Sequence, residues 1–435
     1  MKTLQSWGRI PRVNQTSMIP DWRSHVAITD TARSLLPYGR GRSYGDSCLN
    51  DEGTLCVTSR LNHFIHFDRQ QGILRCEAGV SLDEILALIV PHGWFLPVTP
   101  GTKYVTVGGA IANDVHGKNH HLAGTFGCHV RAFELLRTTG ERLHCSTTEN
   151  SALFRASIGG LGLTGLITWA ELDLKKISSA FIDSETLRFK NLQAFFTLSE
   201  ESDQDWEYTV AWIDCQAQGS DLGRGLFMRG RHSQTGGTSG RKKTLNMPID
   251  APGFLLNKYT VKLFNEFYYR KNRKERLVSH GYYEPFFYPL DSIGNWNRMY
   301  GRRGFYQYQC VVPLEDGEVI IATLLKMIAA SGMGSFLSVL KKFGDIESPG
   351  MLSFPRPGIT LALDFPNYGN KLLTLFEQLD RQVMEAGGAV YPAKDARMSA
   401  AAFQHYFPQW RTFSQYRDPG MSSSFWRRVS GEQRN

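Results

Sequence analysis

Apolar and polar residues alternate in several short runs of this chain and recur at helical spacing in others. Thr54–Thr58, Phe64–Asp68 and Ile73–Ala78 read as consecutive short strands. Ser81 then precedes an apolar run at helical spacing, Leu82–Val90, with Asp83 and Glu84 in its first turn. A serine cap and early negative charge both favour a helix start, and Gly93 marks its end. Upstream, residues 25–36 (HVAITDTARSLL) predict a strand, a capping Asp/Thr and the start of a helix. Leu166–Leu174 alternates like a strand. Around Lys175 the character changes to long aromatic-rich segments, among them Tyr208–Asp214, Gly304–Val312 and Gly358–Phe365. Gly219–Lys243 is polar, glycine-rich and basic, and predicts a mobile loop. Lys258–Arg276 carries seven basic residues against two acidic ones, with aromatic and aliphatic residues at helical spacing. It predicts a basic amphipathic helix. Such a helix is either docked by its aromatic face or meets lipid headgroups or a lipid-linked phosphate.

Three glycine-rich stretches interrupt the first 170 residues. In Pro37–Asp46 (PYGRGRSYGD), three glycines permit a tight turn with exposed amides, and Arg40 and Arg42 add positive charge. A turn of this kind is either a cradle for a pyrophosphate or a plain basic surface loop. Val105–Gly117 (VTVGGAIANDVHG) begins as a strand and runs into Gly108-Gly109, where a ligand can approach the backbone closely. Gly159–Gly165 (GGLGLTG) leads into the strand at 166. The Rossmann spacing G-x-G-x-x-G is absent from the central stretch, and the chain has no Walker A motif or HExxH. Near the end, Lys394 follows Tyr391 and Pro392 beside Asp395 and Arg397. A desolvated lysine loses basicity and becomes usable as a base, while pairing with Asp395 would make it structural.

Composition narrows the classes. The 435 residues allow two or three domains, and 42% hydrophobic with 21% charged residues is ordinary for a globular protein. A net charge of +8 favours anionic partners without choosing among phosphates, nucleic acid and acidic membranes. Seven scattered cysteines without a CxxC pair read as reduced thiols, neither a disulfide framework nor a zinc site. The segment MKTLQSWGRIPRV lacks the apolar core of a signal peptide, and the most apolar run, Val319–Ala330, contains Lys326. The expected location is the cytoplasm, with peripheral contact at the inner face of the membrane left open.

Taken together, several motifs resemble the vanillyl-alcohol-oxidase type of FAD-dependent oxidoreductase. They are GRGRSYGD (39–46), VTVGGAIANDVHGKNHH (105–121), GGLGLTG (159–165), PLDSIGNWNRMYG (289–301), FYQYQ (305–309), LKKFG (340–344), LALDFP (361–366) and YPAKDAR (391–397). The resemblance is greatest to members that oxidise a lipid-linked pentose, and it covers almost the whole chain in order. It implies an α+β fold: a two-part FAD-binding domain, 1–178 and 388–435, with an inserted antiparallel-sheet substrate domain, 179–387. By resemblance the FAD site comprises Tyr38, Gly39, Arg40, Gly41, Arg42, Ser43, Tyr44, Gly45, Asp46, Gly101, Thr106, Val107, Gly108 and Gly109. It continues with Asn113, Asp114, His116, Gly117, Gly162, Gly165, Ile167 and Tyr391. Arg42 stands where relatives with covalent FAD carry a histidine, so non-covalent FAD is expected.

The implied chemistry is oxidation of the 2′-hydroxyl of a polyprenyl-phosphate pentose to a keto sugar. A base takes the hydroxyl proton while hydride passes to the flavin. Resemblance makes Lys394 the base, with Tyr44 and Gln309 orienting the hydroxyl and His116 beside the flavin. Lys118, Trp212, Gln307, Gln309, Lys341 and Ala362 are expected to face the substrate, Lys118 and Lys341 touching its phosphate. Two positions depart from the family: Ala362 replaces a pocket cysteine and Thr360 an asparagine. The implied partner is a separate NAD(P)H-dependent ketoreductase that completes a 2′-epimerisation; no nucleic-acid partner is expected. An aldonolactone or alditol oxidase using oxygen is the alternative within the fold. A basic, non-catalytic nucleic-acid- or membrane-binding protein is the alternative outside it.

Overall fold

A computed structural model of the chain describes residues 4–26, 34–238, 245–247, 249–252, 256–271 and 274–432. Helices and largely antiparallel sheets mix along the chain, giving an α+β fold. A three-stranded parallel sheet places Thr54–Val57 between Thr16–Met18 and Leu35–Tyr38. A five-stranded antiparallel sheet runs Phe64–Asp68, Ile73–Glu77, Leu166–Asp173, Val130–Leu136, Arg142–Ser146. Against it pack the helices Leu82–Ile89 and Val107–Ala112, through Leu82, Ile85, Leu86, Ile89, Val107, Ala110 and Ile111. Ser81 caps the first of these in a full capping box with Glu84, as the sequence predicts.

The third sheet has eight strands. In spatial order they are Arg276–Tyr282, Phe181–Phe189, Gly225–His232, Tyr208–Ile213, Ser338–Phe343, Gly358–Pro366, Phe305–Val312 and Ala389–Val390, with every pairing antiparallel. Because side chains alternate along a strand, each strand offers one set to either face. One set, including Ala211, Ile213, Phe227, Tyr308, Cys310, Leu340, Leu361 and Leu363, is buried with the helices Leu192–Ser202, Gly317–Ser331 and Asn370–Glu385. The other set is left for a cavity.

The C-terminal segment returns to the first sheet. Leu35 N donates to Gly420 O at 2.8 Å, Ser422 N to Leu35 O at 3.0 Å, and Tyr44 N to Ala393 O at 2.9 Å. Arg428 pairs with both Asp46 (2.6 Å) and Asp395 (3.1 Å), clasping the basic glycine turn to the chain end.

Four expectations change. The run at Val105–Val107 is not a strand: Thr106 Oγ1 caps a short helix by accepting from Gly109 N at 3.2 Å, and Val107 is tolerated there because its side chain is fully buried. Leu35–Tyr38 is a strand where a helix was to begin; residues 27–33 lie outside the described residues. The loop expected over Gly219–Lys243 contains the strand Gly225–His232, held on both sides, with Arg229 paired to buried Glu185; 239–243 lie outside the described residues. The basic helix ends at Lys271, and Arg276 already belongs to the next strand. Among the described residues no helix is long and apolar enough to cross a membrane, and no cluster of ligands could hold a metal.

Candidate active site

A cavity of about 790 Å³ lies on the open face of the eight-stranded sheet. Its floor takes alternate residues from successive strands: Leu277 and Ser279, Ser184 and Thr186, Met228, Val210 and Trp212, Val339 and Lys341, Thr360 and Ala362, Gln307 and Gln309. The period of two along FYQYQ thus sends both glutamines into the cavity. Tyr308 points to the opposite face, where its hydroxyl donates to Asp380 at 3.1 Å. The remaining walls come from the glycine turns, from Gly101–Lys118 and from Tyr391–Lys394.

The glycine turns leave room where side chains would stand. A Cβ built on Gly101 meets nothing within 4 Å, and one on Gly109 meets only Thr106 Oγ1, at 3.0 Å. Gly41 sits at φ +60°, where an added Cβ would also strike the Tyr38 hydroxyl. The amides of Arg40, Gly41, Arg42 and Ser43 donate to nothing among the described residues. Arg42 Nε and Ser47 Oγ are likewise buried without a partner. Five basic side chains line the cavity (Arg40, Arg42, Lys118, Lys341, Lys394), against Glu185, which Arg229 and Arg276 neutralise. Unused donors, surplus positive charge and a side-chain-free wall suit a dinucleotide such as FAD, whose pyrophosphate needs many donors at close range.

Two polar networks rise from neighbouring floor residues. Gln307 donates to Asp364 at 2.5 Å. Lys394 Nζ lies 3.9 Å from the centre of the Tyr44 ring. Burial lowers the pKa of Lys394 and raises that of Asp364, while the carboxylate partly restores the basicity of the lysine. In the second network the Gln309 amide donates to His116 Nε2 at 3.0 Å and to Thr360 Oγ1 at 3.3 Å. Both its hydrogens are then committed, and the proton of a neutral His116 must sit on Nδ1, 2.9 Å from Lys341 Nζ. The electrostatics agree. Burial, with Lys341, His120 and Lys394 nearby, holds His116 well below the usual imidazole range. Burial, with Lys118 and Lys394 nearby, likewise depresses Lys341, which can accept that proton as an amine while donating to Gly117 O at 2.9 Å.

Most of the expected site residues meet at this cavity, and five do not reach its wall. Tyr38 points its hydroxyl to Gln5 O (2.8 Å), behind the turn. Gly45 packs so closely on Asp395 that a Cβ would lie 1.8 Å from its carbonyl oxygen. Asp46 is spent on Arg428, and Val107 on the apolar core. Asp114 is fully buried, accepting from Gly127 N at 2.8 Å and from the hydroxyls of Ser348 and Ser353. Tyr391 lines the cavity and donates to Asn113 O at 2.8 Å, with Phe354 stacked on its ring. Lys118 donates to Phe287 O at 3.0 Å, and Trp212 to Phe336 O at 2.9 Å. Asp395 engages Arg428, so it does not make Lys394 a structural lysine. Asp364 escaped sequence reasoning. Its signal was there: it is two positions from Ala362 on one strand, hence on the same face, and opposite Gln307 in register.

Comparison with known proteins bears on this cavity directly. The FAD binding domain family matches residues 26–146, which contain both the basic turn and the capped glycine helix. The chain is 37% identical to the decaprenylphosphoryl-beta-D-ribose oxidase of Mycolicibacterium smegmatis, over 94% of its own length and 92% of that protein. It is 30% identical to an uncharacterised protein of Streptomyces coelicolor, encoded in the mprA 5′ region, over 78% of this chain and 95% of the relative. Human delta(24)-sterol reductase shares 33% identity, over only 27% of this chain and 22% of its own. The cavity and these likenesses define an FAD-dependent oxidoreductase. Among such enzymes, the chain belongs to the decaprenylphosphoryl-β-D-ribose oxidase family, whose M. smegmatis member it matches nearly end to end.

Proposed function

We propose that the protein oxidises the 2′-hydroxyl of a polyprenyl-phosphate pentose of the decaprenylphosphoryl-ribose type to the 2′-keto sugar. The observation that carries this reading is the convergence of Lys394, Gln309, His116 and Lys118 in one cavity with the glycine turns. FAD, when bound, supplies the acceptor for the hydride from C2′. We read residues 1–178 and 388–435 as the two parts of a vanillyl-alcohol-oxidase-type FAD domain and 179–387 as the substrate domain. The clasp through Arg428 and the Tyr44–Ala393 hydrogen bond support this division. Gly39–Tyr44, Ser47, Thr106, Gly108, Gly109, Asn113, His116, Gly162, Gly165, Ile167 and Tyr391 would hold the cofactor. Arg42 offers no nucleophile for a covalent link, so acid precipitation should release all the FAD into the supernatant; yellow colour retained in the pellet contradicts this.

Lys394 takes the hydroxyl proton. Its amine is kept available by burial, and the Tyr44 ring holds the ammonium once formed. Gln309, with both hydrogens donated, offers only its carbonyl oxygen and so accepts from the substrate hydroxyl. His116 stays neutral and fixed, braced by Lys341. Lys118 meets the phosphate, while the lipid leaves the cavity toward a membrane that the protein touches peripherally. The keto product requires a separate NAD(P)H-dependent ketoreductase to complete inversion at C2′. Anaerobic mixing with a polyprenyl-phosphate ribose should bleach the flavin. Bleaching by free polyols alone would replace this reading with that of an alditol-type oxidase.

A further inference from the structure

We propose that the helix Lys258–Lys271, with the adjoining start of the strand Arg276–Tyr282, is a docking face for an anionic lipid membrane. The proposal rests on the reading of the cavity as the site of a lipid-linked substrate. The helix sits on the protein through Val261 and Asn265, both buried. Its outward stripe is apolar: Tyr259, Leu263 and Phe267, four residues apart, are 72%, 71% and 67% exposed. Val278 on the neighbouring strand is 67% exposed. A monomer in water does not usually display large apolar residues in such a row, so the stripe needs a covering surface.

The charges say which surface. Lys258, Lys262, Arg270 and Lys271 are all exposed along the same helix. Its one carboxylate within these bounds, Glu266, is taken up by Arg224 and Arg270. An apolar stripe set among exposed cations, of which Lys258, Lys262 and Lys271 have no carboxylate left to them on the helix, matches the boundary of an anionic bilayer, where chains meet charged headgroups. Each such cation strengthens partition roughly fivefold.

The stripe also adjoins the cavity. Tyr268 of the helix and Leu277 of the strand line it, and Leu277 is 44% exposed, so the cavity reaches the surface there. A lipid chain anchored in the bilayer can therefore keep its tail in the membrane while its sugar phosphate enters between the helix and the strand. Docking here aligns the opening with the leaflet that holds the substrate.

The test uses FAD-loaded protein and sedimentation with phosphatidylglycerol/phosphatidylcholine vesicles or with phosphatidylcholine alone. The wild type should bind the anionic vesicles. Leu263→Glu/Phe267→Glu should bind at least tenfold more weakly, and Lys258→Gln/Lys262→Gln should weaken binding roughly 25-fold at low salt. Both variants should keep the flavin spectrum and the wild-type rate of bleaching by a short-chain, water-soluble pentosyl phosphate. Equal vesicle binding by all three proteins, or none by the wild type, would overturn the proposal. So would light scattering showing that the wild type is a dimer which Leu263→Glu/Phe267→Glu splits, because the stripe would then cover a second copy. If the vesicle results hold but no pentosyl phosphate bleaches the flavin, docking stands and the substrate reading fails.

Discussion

Lys118, proposed above to meet the substrate phosphate, offers a direct test of anion recognition in the cavity. Its side chain is half-buried in the wall, its Nζ donates to Phe287 O at 3.0 Å, and burial draws its pKa from 10.5 down to about 8. At about 1.4 kcal/mol per unit, that drop corresponds to about 3 kcal/mol held against the folded state at neutral pH. Partial exposure reduces the figure, so Lys118→Met should stabilise the substrate-free holoprotein by about 1–3 kcal/mol at pH 7. Because the folded pKa lies below the unfolded one, the unfolded chain binds more protons between about pH 8 and 10.5. Wild-type stability therefore rises across that window, and the advantage of the variant fades. Substrate affinity moves the other way. A charge-assisted hydrogen bond to phosphate contributes about 1.5–3 kcal/mol, so the variant should bind the sugar phosphate roughly 10–150-fold more weakly, with the saturating rate little changed. Wild-type affinity should fall about tenfold per pH unit above pH 8 until it meets that of the variant, which lacks this limb. Anaerobic stopped-flow titration of flavin bleaching from pH 6.5 to 9.5 reads the affinity, and thermal unfolding at pH 7 and 10 reads the stability. Equal affinities, or a parallel alkaline loss in Lys118→Met, would refute the reasoning.

Lys394→Ala should stay yellow while flavin reduction slows by roughly 10²–10⁴-fold; an intact rate removes it as the base. The wild-type rate should rise with pH as Lys394 loses its proton. Asp364→Asn, by deleting the negative neighbour that raises the lysine's pKa, should move that rise to lower pH; a rise that stays put contradicts the coupling. Gly109→Val should emerge without FAD, since its methyls enter space that only Thr106 Oγ1 borders; full occupancy by absorbance would count against the cradle. Arg428→Ala leaves Asp46 and Asp395 buried without their cation and should cost about 3–5 kcal/mol in urea unfolding; an unshifted midpoint refutes the clasp.

Local pattern carried well where one periodicity dominated. Phe64–Asp68 and the Ser81-capped helix are found as read, because each is settled by neighbours a few residues away. Val105–Val107 misled, since β-branched residues favour strands in general, yet the Thr106 cap and burial of Val107 outweigh that preference. Gly225–His232 hid in a polar stretch because Arg229 is paired across strands with Glu185, and such pairing has no local signature. The cavity residues were legible through motif likeness. Their working partners were less so: Asp364 and Thr360 gain meaning only from a register that sets them opposite Gln307 and Val311, one beneath each glutamine network. Asp46 and Asp114 sat inside the right motifs and turned out to brace them from behind.

The clasp at Arg428 also bears on when, in the life of the chain, the proposed cofactor site is complete. The turn at residues 39–46 emerges early in synthesis, yet its backing is supplied by Ala393, Asp395 and Arg428, more than 340 residues later. A nascent chain has the glycines but lacks both the Tyr391 wall and the ion pairs that fix the turn. In the site proposed above, FAD would bind the finished fold, and its binding free energy would add to the stability of that fold. Every tenfold excess of FAD over its Kd would then stabilise the folded protein by about 1.4 kcal/mol more.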